Sequence, residues 1–170
     1  DSPGVIIDEA DGGLQDLPRA LDLGYLGTSH KNCKGIVKGL ANAALLKARV
    51  APGGRSGILS GEDLANVGPV ALLQDLAMVA ALGIRHVERN GHHYFKGLSM
   101  HPKPVQEAVL ERHADLYQRH SQGFPTLNIH QGHLRLDSVN AAPFGCAVEL
   151  EDPAYLPLND WIKQGGMAEL

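Results

Sequence analysis

Ionisable side chains follow each of four short apolar runs of the sequence. In chain order they are Asp8 and Glu9, then His30 and Lys31, then Glu62 and Asp63, then Glu88, with His92 and His93 shortly after. In parallel α/β folds, functional residues collect just beyond the carboxyl ends of the strands. We therefore expect these side chains to share one site.

The charges of the first 55 residues are segregated along the chain. Residues 1–30 contain six acidic residues, whereas residues 31–55 contain six Lys or Arg and no acid. A carboxylate-bearing strand beside a lysine-bearing one suits a hard divalent cation held by oxygen ligands, here Asp8 and Glu9. Lys31 would be the acid/base, because a partly desolvated lysine near a metal has a lowered pKa.

Each of these residues also has a structural interpretation. Residues 8–9 could be acids that favour a helix N-terminus, and residues 62–63 could cap a turn. Lys34 and Lys38 are typical of a solvated helix face. The His92-His93 pair could bind zinc or substrate, although the histidines show no tight ligand spacing.

Apolar runs alternate with amphipathic stretches, which favours a parallel sheet with helical crossovers. The predicted strands are residues 4–7, 25–31, 57–60 and 84–88, and the predicted helices are residues 14–23, 36–45, 68–82 and 105–120. Residues 126–130 and 133–137 alternate around Gln131-Gly132, which predicts a β-hairpin. Residues 138–170 are expected to form an irregular tail that packs back on the rest.

Composition excludes several classes of protein. The formal net charge is −4 and 44% of the residues are hydrophobic, which argues against disorder and against a basic nucleic-acid binder. No run approaches the roughly 18 apolar residues of a membrane span. Two cysteines make no disulfide scaffold, so we expect a reducing, cytoplasmic setting, although one bridge remains possible.

The motifs resemble the enolase superfamily, and within it the mandelate racemase/muconate-lactonising branch. They are IIDEAD at residues 6–11, GTSHKNCKG at 27–35, SGEDL at 60–64 and VERNGHHY at 87–94, so that the resemblance covers residues 4–137. It implies a Mg²⁺-dependent enzyme that removes the proton α to the carboxylate of a small substrate, as a racemase, dehydratase or cycloisomerase.

Carried over by position, the resemblance gives individual residues a role. It makes Asp8 the third metal ligand, Glu9 the adjacent acid and Lys31 the catalytic lysine. Residues in substrate-binding or proton-relay positions are Glu62, Asp63 and Glu88, and His92 is a further candidate for substrate binding.

The resemblance also predicts the architecture: the C-terminal half of a TIM-like (β/α) barrel, four βα units long, followed by a β-hairpin and an irregular tail. Residues 1–122 would be barrel strands five to eight with their helices, and residues 123–170 the hairpin and return segment. The family's other two metal ligands lie on earlier strands, so we expect a fragment that is inactive without its missing N-terminal half.

A half-barrel leaves strand edges unpaired, which predicts self-association. Two other functions remain open at this point. One is a non-catalytic, barrel-derived binding or assembly module. The other is a zinc enzyme that uses His92, His93 and further histidines.

Overall fold

The computed structural model describes residues 3–49, 54–62, 66–89, 95–150, 153 and 155–166 of the chain. The helices are α1 (Asp16–Asp22), α2 (Ile36–Ala48), α3 (Val70–Ala81), α4 (Lys103–Arg112), α5 (Asp137–Ala141) and α6 (Leu158–Lys163). The strands are β1 (Gly27–His30), β2 (Ile58–Glu62), β3 (Val87–Glu88), β4 (Tyr117–Arg119) and β5 (Pro125–Leu127). None of the described helices has both the length and the apolar composition needed to cross a membrane.

Three strands form a parallel sheet in the order β1-β2-β3, with α2 and α3 as the crossovers. The run before α1 extends this sheet, because Ile7 forms an isolated parallel bridge with Thr28 and the Leu26 amide donates to the Val5 carbonyl at 2.8 Å. The predicted parallel sheet with helical crossovers is therefore confirmed, although the strands are shorter than expected. The described residues form no closed barrel.

The second half of the chain corrects two predictions. The helix expected over residues 105–120 ends at Arg112, because buried His113 leaves helical geometry and the following residues turn into β4. β4 then pairs with β5 in an antiparallel hairpin separate from the parallel sheet. Residues 126–127 were expected to pair with residues 133–137, but they pair with Tyr117 and Gln118 instead.

The Gln131-Gly132 turn is present, but it closes only one bridge, His130 with His133. The alternation that predicted a second strand has another cause, since Leu134 and Leu136 both pack against the main apolar core before α5 begins. The tail is less irregular than predicted, because it contains α5, α6 and a 3₁₀ turn at residues 143–145. It does pack back on the molecule, through Val139 and Val148.

The apolar side chains are divided between two clusters. The main core is built from α3, α4, the hairpin and the tail, and its buried members are Leu72, Leu73, Leu76, Leu98, Val105, Val109, Leu116, Tyr117, Val139 and Val148. A small cluster of Leu17, Leu21 and Leu46 lies beneath β1 and β2. Cys33 and Cys146 are both free thiols.

Candidate functional site

The strand register brings the predicted site residues to one edge of the sheet. His30 is opposite Gly61, so Lys31 and Glu62 leave β1 and β2 side by side, and Glu62 is opposite Glu88. Because side chains alternate between the two faces of a strand, Ser29 and Lys31 belong to the same face. That face borders a cavity of about 580 Å³ whose lining includes Asp8, Ser29, Ser60, Glu62 and Glu88.

Lys31 is the centre of an ionic cluster formed with Asp8, Glu9 and Glu62. Its Nζ lies 2.9 Å from Oδ1 of Asp8 and 2.8 Å from Oε2 of Glu62, and it also bonds Oε1 of Glu9. Lys31 is 2% exposed, whereas Asp8 and Glu9 are largely open to solvent. Three parallel segments therefore place one buried ammonium among three carboxylates.

The electrostatics of Lys31 are opposite to the lowered pKa expected from the sequence. Burial alone would lower the pKa of Lys31, but the bonds to Glu62, Glu9 and Asp8 outweigh it and raise the pKa above its ordinary value. The pKa of Glu9 shifts in the opposite direction: hydrogen bonds from Lys31 and Lys34 are the main causes that lower it. In this arrangement Lys31 is a proton donor held in place by its partners.

A second ionic group lies directly behind the cluster. The Asp11 carboxylate is 1% exposed, and its Oδ2 accepts from Thr28 Oγ1 at 2.8 Å and from Asn42 Nδ2 at 2.9 Å. Lys38 completes it, since its Nζ lies 2.9 Å from Oδ2 and donates to the Asp11 carbonyl at 2.7 Å. These bonds fasten the loop after the first apolar run to β1 and α2.

The interpretation of Lys34 and Lys38 as a solvated face is wrong. Their side chains are only 16% and 10% exposed, and Lys34 Nζ donates to the Asp8 carbonyl at 3.1 Å. The sequence carried a signal for this pairing. Three lysines lie close together in the sequence at 31, 34 and 38, and the opposite charges lie together at residues 8–11.

His30 points to the opposite side of β1 and has a packing role. Its ring is buried, its Nε2 lies 2.8 Å from Oδ1 of Asn32, and burial lowers the pKa of the imidazole. The ring packs against α2 at Gly39, where a Cβ would lie 2.5 Å from it. His30 therefore sets the spacing between strand and helix and lies outside the ionic cluster.

The donor atoms of the cluster fit a hard divalent cation. Asp8, Glu9 and Glu62 each offer a carboxylate oxygen, and these oxygens lie within 4.8 Å of one another. Oxygen-only sets of this kind are typical of Mg²⁺ or Mn²⁺, whereas zinc sites usually contain His or Cys. No other group of three His, Cys, Asp or Glu among the described residues meets this spacing, and this one contains no histidine.

The remaining predicted residues are only partly placed. Glu88 lies in β3 beside Glu62 and borders the same cavity. Asp63, His92 and His93 lie outside the described residues. The ionic cluster is thus the part of the expected site whose geometry is known.

Comparison of the chain with protein-family models, with curated proteins and with solved structures finds no match.

Proposed function

We propose that Asp8, Glu9, Lys31 and Glu62 belong to a metal-assisted site that removes the proton α to the carboxylate of a small substrate, as in the enolase superfamily. One observation carries the proposal. Lys31 Nζ lies within hydrogen-bond distance of Asp8 and Glu62, which come from neighbouring parallel segments at the carboxyl edge of the sheet.

Removal of a proton α to a carboxylate requires a cation and a base close together. A proton α to a carboxylate is very weakly acidic, so its removal needs positive charge near the developing oxyanion and a base within contact distance. Mg²⁺, held by Asp8 with Glu9 and Glu62 beside it, would supply that charge. Lys31 would carry the transferred proton at Nζ, and Glu62 would orient it.

The order of events at Lys31 follows from its partners. With three carboxylates around it, the ammonium keeps its proton, so Lys31 would have to release that proton before it could remove one from a substrate. Before Lys31 can accept a proton, these contacts must weaken and its pKa must fall. The same face of the sheet borders the cavity along β2 and β3, where Glu88 would contact the substrate.

We further propose that the parallel sheet is the C-terminal part of a (β/α) barrel. The support is the strand-helix-strand order of β1, α2, β2, α3 and β3, with the first apolar run as a fourth parallel segment. In that architecture the earlier strands would contribute further carboxylate ligands, and two copies of this chain could cover each other's open edges.

Replacement of Lys31 tests the role in proton transfer. In the complete enzyme, Lys31→Met is expected to abolish exchange of the substrate α-proton for deuterium, followed by NMR in D₂O. Lys31→Arg keeps the positive charge but is a far weaker acid, so it should fold and also lose exchange. Lys47→Met removes an exposed lysine near the end of α2 and serves as the matched control. Exchange that survives in both Lys31 variants would remove this residue from the mechanism.

Metal binding can be tested on the 170-residue chain itself. Mn²⁺, a paramagnetic substitute for Mg²⁺, should bind weakly at millimolar concentration, because three protein carboxylates supply only part of the usual six ligands. Asp8→Asn and Glu62→Gln are each expected to weaken binding, measured by electron paramagnetic resonance. Asp22→Asn, on the exposed end of α1, is the control. Equal Mn²⁺ binding in all three variants would contradict the assignment.

A second function is favoured by the salt bridges that already pair Lys31 with all three carboxylates of the cluster. Because Lys31 already neutralises neighbouring carboxylates, the same residues could form a structural salt-bridge network in a non-catalytic binding module. In that case Lys31→Met would lower stability and leave no exchange activity to lose, since the unaltered protein would have none.

A further inference from the structure

A second cavity, of about 100 Å³, is lined by none of the residues of the ionic cluster. It lies between the start of α3, the segment after residue 95 and the β4–β5 hairpin. Most of its wall is apolar, with Leu72, Leu98 and Leu127 among the lining residues. It therefore offers an apolar compartment separate from the site proposed above.

One buried polar atom belongs to this cavity. Tyr117 lines it and is 3% exposed, and its hydroxyl has no hydrogen-bond partner in the part of the chain that the structure describes. The hydroxyl lies against Gly68 on the same wall, where an added Cβ would be 2.8 Å from it. Burying a hydroxyl without a partner is costly, so this group is well suited to receive one from a ligand.

The electrostatics of the wall favour an acceptor with negative charge. Burial raises the pKa of the Tyr117 phenol, although Arg89 acts in the opposite direction, so the hydroxyl keeps its proton and donates. Arg89 itself lines the cavity. A donor hydroxyl and a guanidinium on a mostly apolar wall, which also contains Asn66 and Thr126, are complementary to a carboxylate.

The wall is also held in shape before any ligand arrives. His101 follows the lining residue Met100, and its Nε2 lies 2.6 Å from the carbonyl of Gly68 on the wall. Its Nδ1 lies 2.7 Å from the Tyr155 hydroxyl, outside the cavity. A cavity whose walls are already fixed loses little conformational entropy on binding.

We propose that this cavity binds a short-chain monocarboxylate of four or five carbons. Its carboxylate accepts a hydrogen bond from the Tyr117 hydroxyl and lies near Arg89, and its hydrocarbon chain packs against Leu72, Leu98 and Leu127. The volume limits the size of the ligand: an apolar cavity of roughly 150 Å³ holds the six carbons of benzene, so about 100 Å³ has room for the three or four carbons of the hydrocarbon chain. This inference does not depend on the proposed function, because it uses other residues.

The test is a titration of the ¹⁵N-labelled 170-residue chain with isovalerate, followed by amide chemical shifts. Saturable shifts are expected at Gly68, Leu98 and Leu127. Tyr117→Phe keeps the ring and removes only the hydroxyl, and it should weaken binding at least about tenfold. Tyr25→Phe, two residues before β1, is the matched control and should change nothing.

Arg89→Gln identifies the ligand chemistry: it should weaken the binding of isovalerate more than that of the uncharged analogue isoamyl alcohol, because only isovalerate carries a charge. The chemical shifts also locate the ligand. Saturable shifts at Lys31 and Glu62, with none at Gly68, would place it in the ionic cluster and overturn the proposal. Unchanged shifts on adding isovalerate, or equal affinity in Tyr117→Phe, would overturn it as well.

Discussion

The described parts of residues 3–62 and of residues 66–150 are stabilised by different forces. The first region has a small apolar cluster but contains six of the nine buried polar or charged residues, among them Asp11 and Lys31. The second contains the ten buried residues of the main core. One region is held together chiefly by hydrogen-bonded charges, and the other chiefly by apolar burial.

The difference shows how buried charges limit the stability of the region that contains the candidate site. A buried ion pair contributes little net stability, because desolvation offsets most of the attraction, whereas each buried leucine contributes about 1.5–3 kcal/mol. The region with the candidate site thus keeps charges where a core would be more stabilising. The second region supplies the apolar burial that the first one lacks.

The largest effect is expected from a cavity in the main core. Leu73 and Leu17 are both fully buried, the first in the main core and the second in the small cluster. Leu73→Ala should lower the free energy of unfolding by about 4–5 kcal/mol and Leu17→Ala by about 3 kcal/mol, because the smaller cluster can collapse more easily. Urea denaturation measures both. A larger loss in Leu17→Ala would contradict the comparison.

A smaller loss is expected when a charge is removed from the first region. Lys38→Met leaves the buried Asp11 carboxylate without its ammonium and should cost about 2–3 kcal/mol, since Lys38 keeps some contact with water. The double variant Asp11→Asn, Lys38→Met should recover part of that loss. Lys47→Met, an exposed lysine on the same helix, should cost almost nothing. Similar unfolding curves for Lys38→Met and Lys47→Met would show that the pair is not stabilising.

The smallest effect is a pH dependence from the second region. His113 is fully buried; its Nε2 accepts from the Ala147 amide at 3.1 Å and its Nδ1 lies 3.0 Å from the Ser138 hydroxyl. Burial lowers the pKa of His113 below its ordinary value of 6.5, with Asp115 acting in the opposite direction.

The unfolded chain therefore binds the proton more readily, so the stabilisation is complete above about pH 6.5 and is lost as the pH falls. His113 alone should contribute at most about 1.4 kcal/mol per pH unit to the slope of the unfolding free energy. His113→Gln should flatten it in urea denaturation between pH 7.5 and 5, although buried His30 still contributes in the same direction. An unchanged slope in His113→Gln would show that other groups cause the pH dependence of stability.

The sequence was informative where structure follows from local pattern. Helix α3 lies within the stretch predicted from its apolar face. Three of the four predicted strands pair in parallel as expected, and the first apolar run adds one parallel bridge. The meeting of Asp8 and Lys31 also followed from pattern, because carboxyl ends of adjacent parallel strands share an edge.

Prediction failed where long-range contacts decide the outcome. Residues 105–120 have one helical pattern, but the helix ends early because His113 bonds Ser138 and Ala147, which are far along the chain. The role of Lys38 depends on Asp11, 27 residues earlier, and a helix face looks the same whether it meets water or a buried carboxylate. The direction of the Lys31 pKa shift required knowing how many carboxylates surround it.

The close approach of Gly39 to the His30 ring limits how this protein can be redesigned. Replacing a helical glycine with alanine is a standard way to gain about 1 kcal/mol. Here the added methyl group would collide with the imidazole 2.5 Å away and displace the end of β1, directly before Lys31. A design for higher thermostability should therefore retain Gly39, and substitutions at residues 30 and 39 are expected to be correlated.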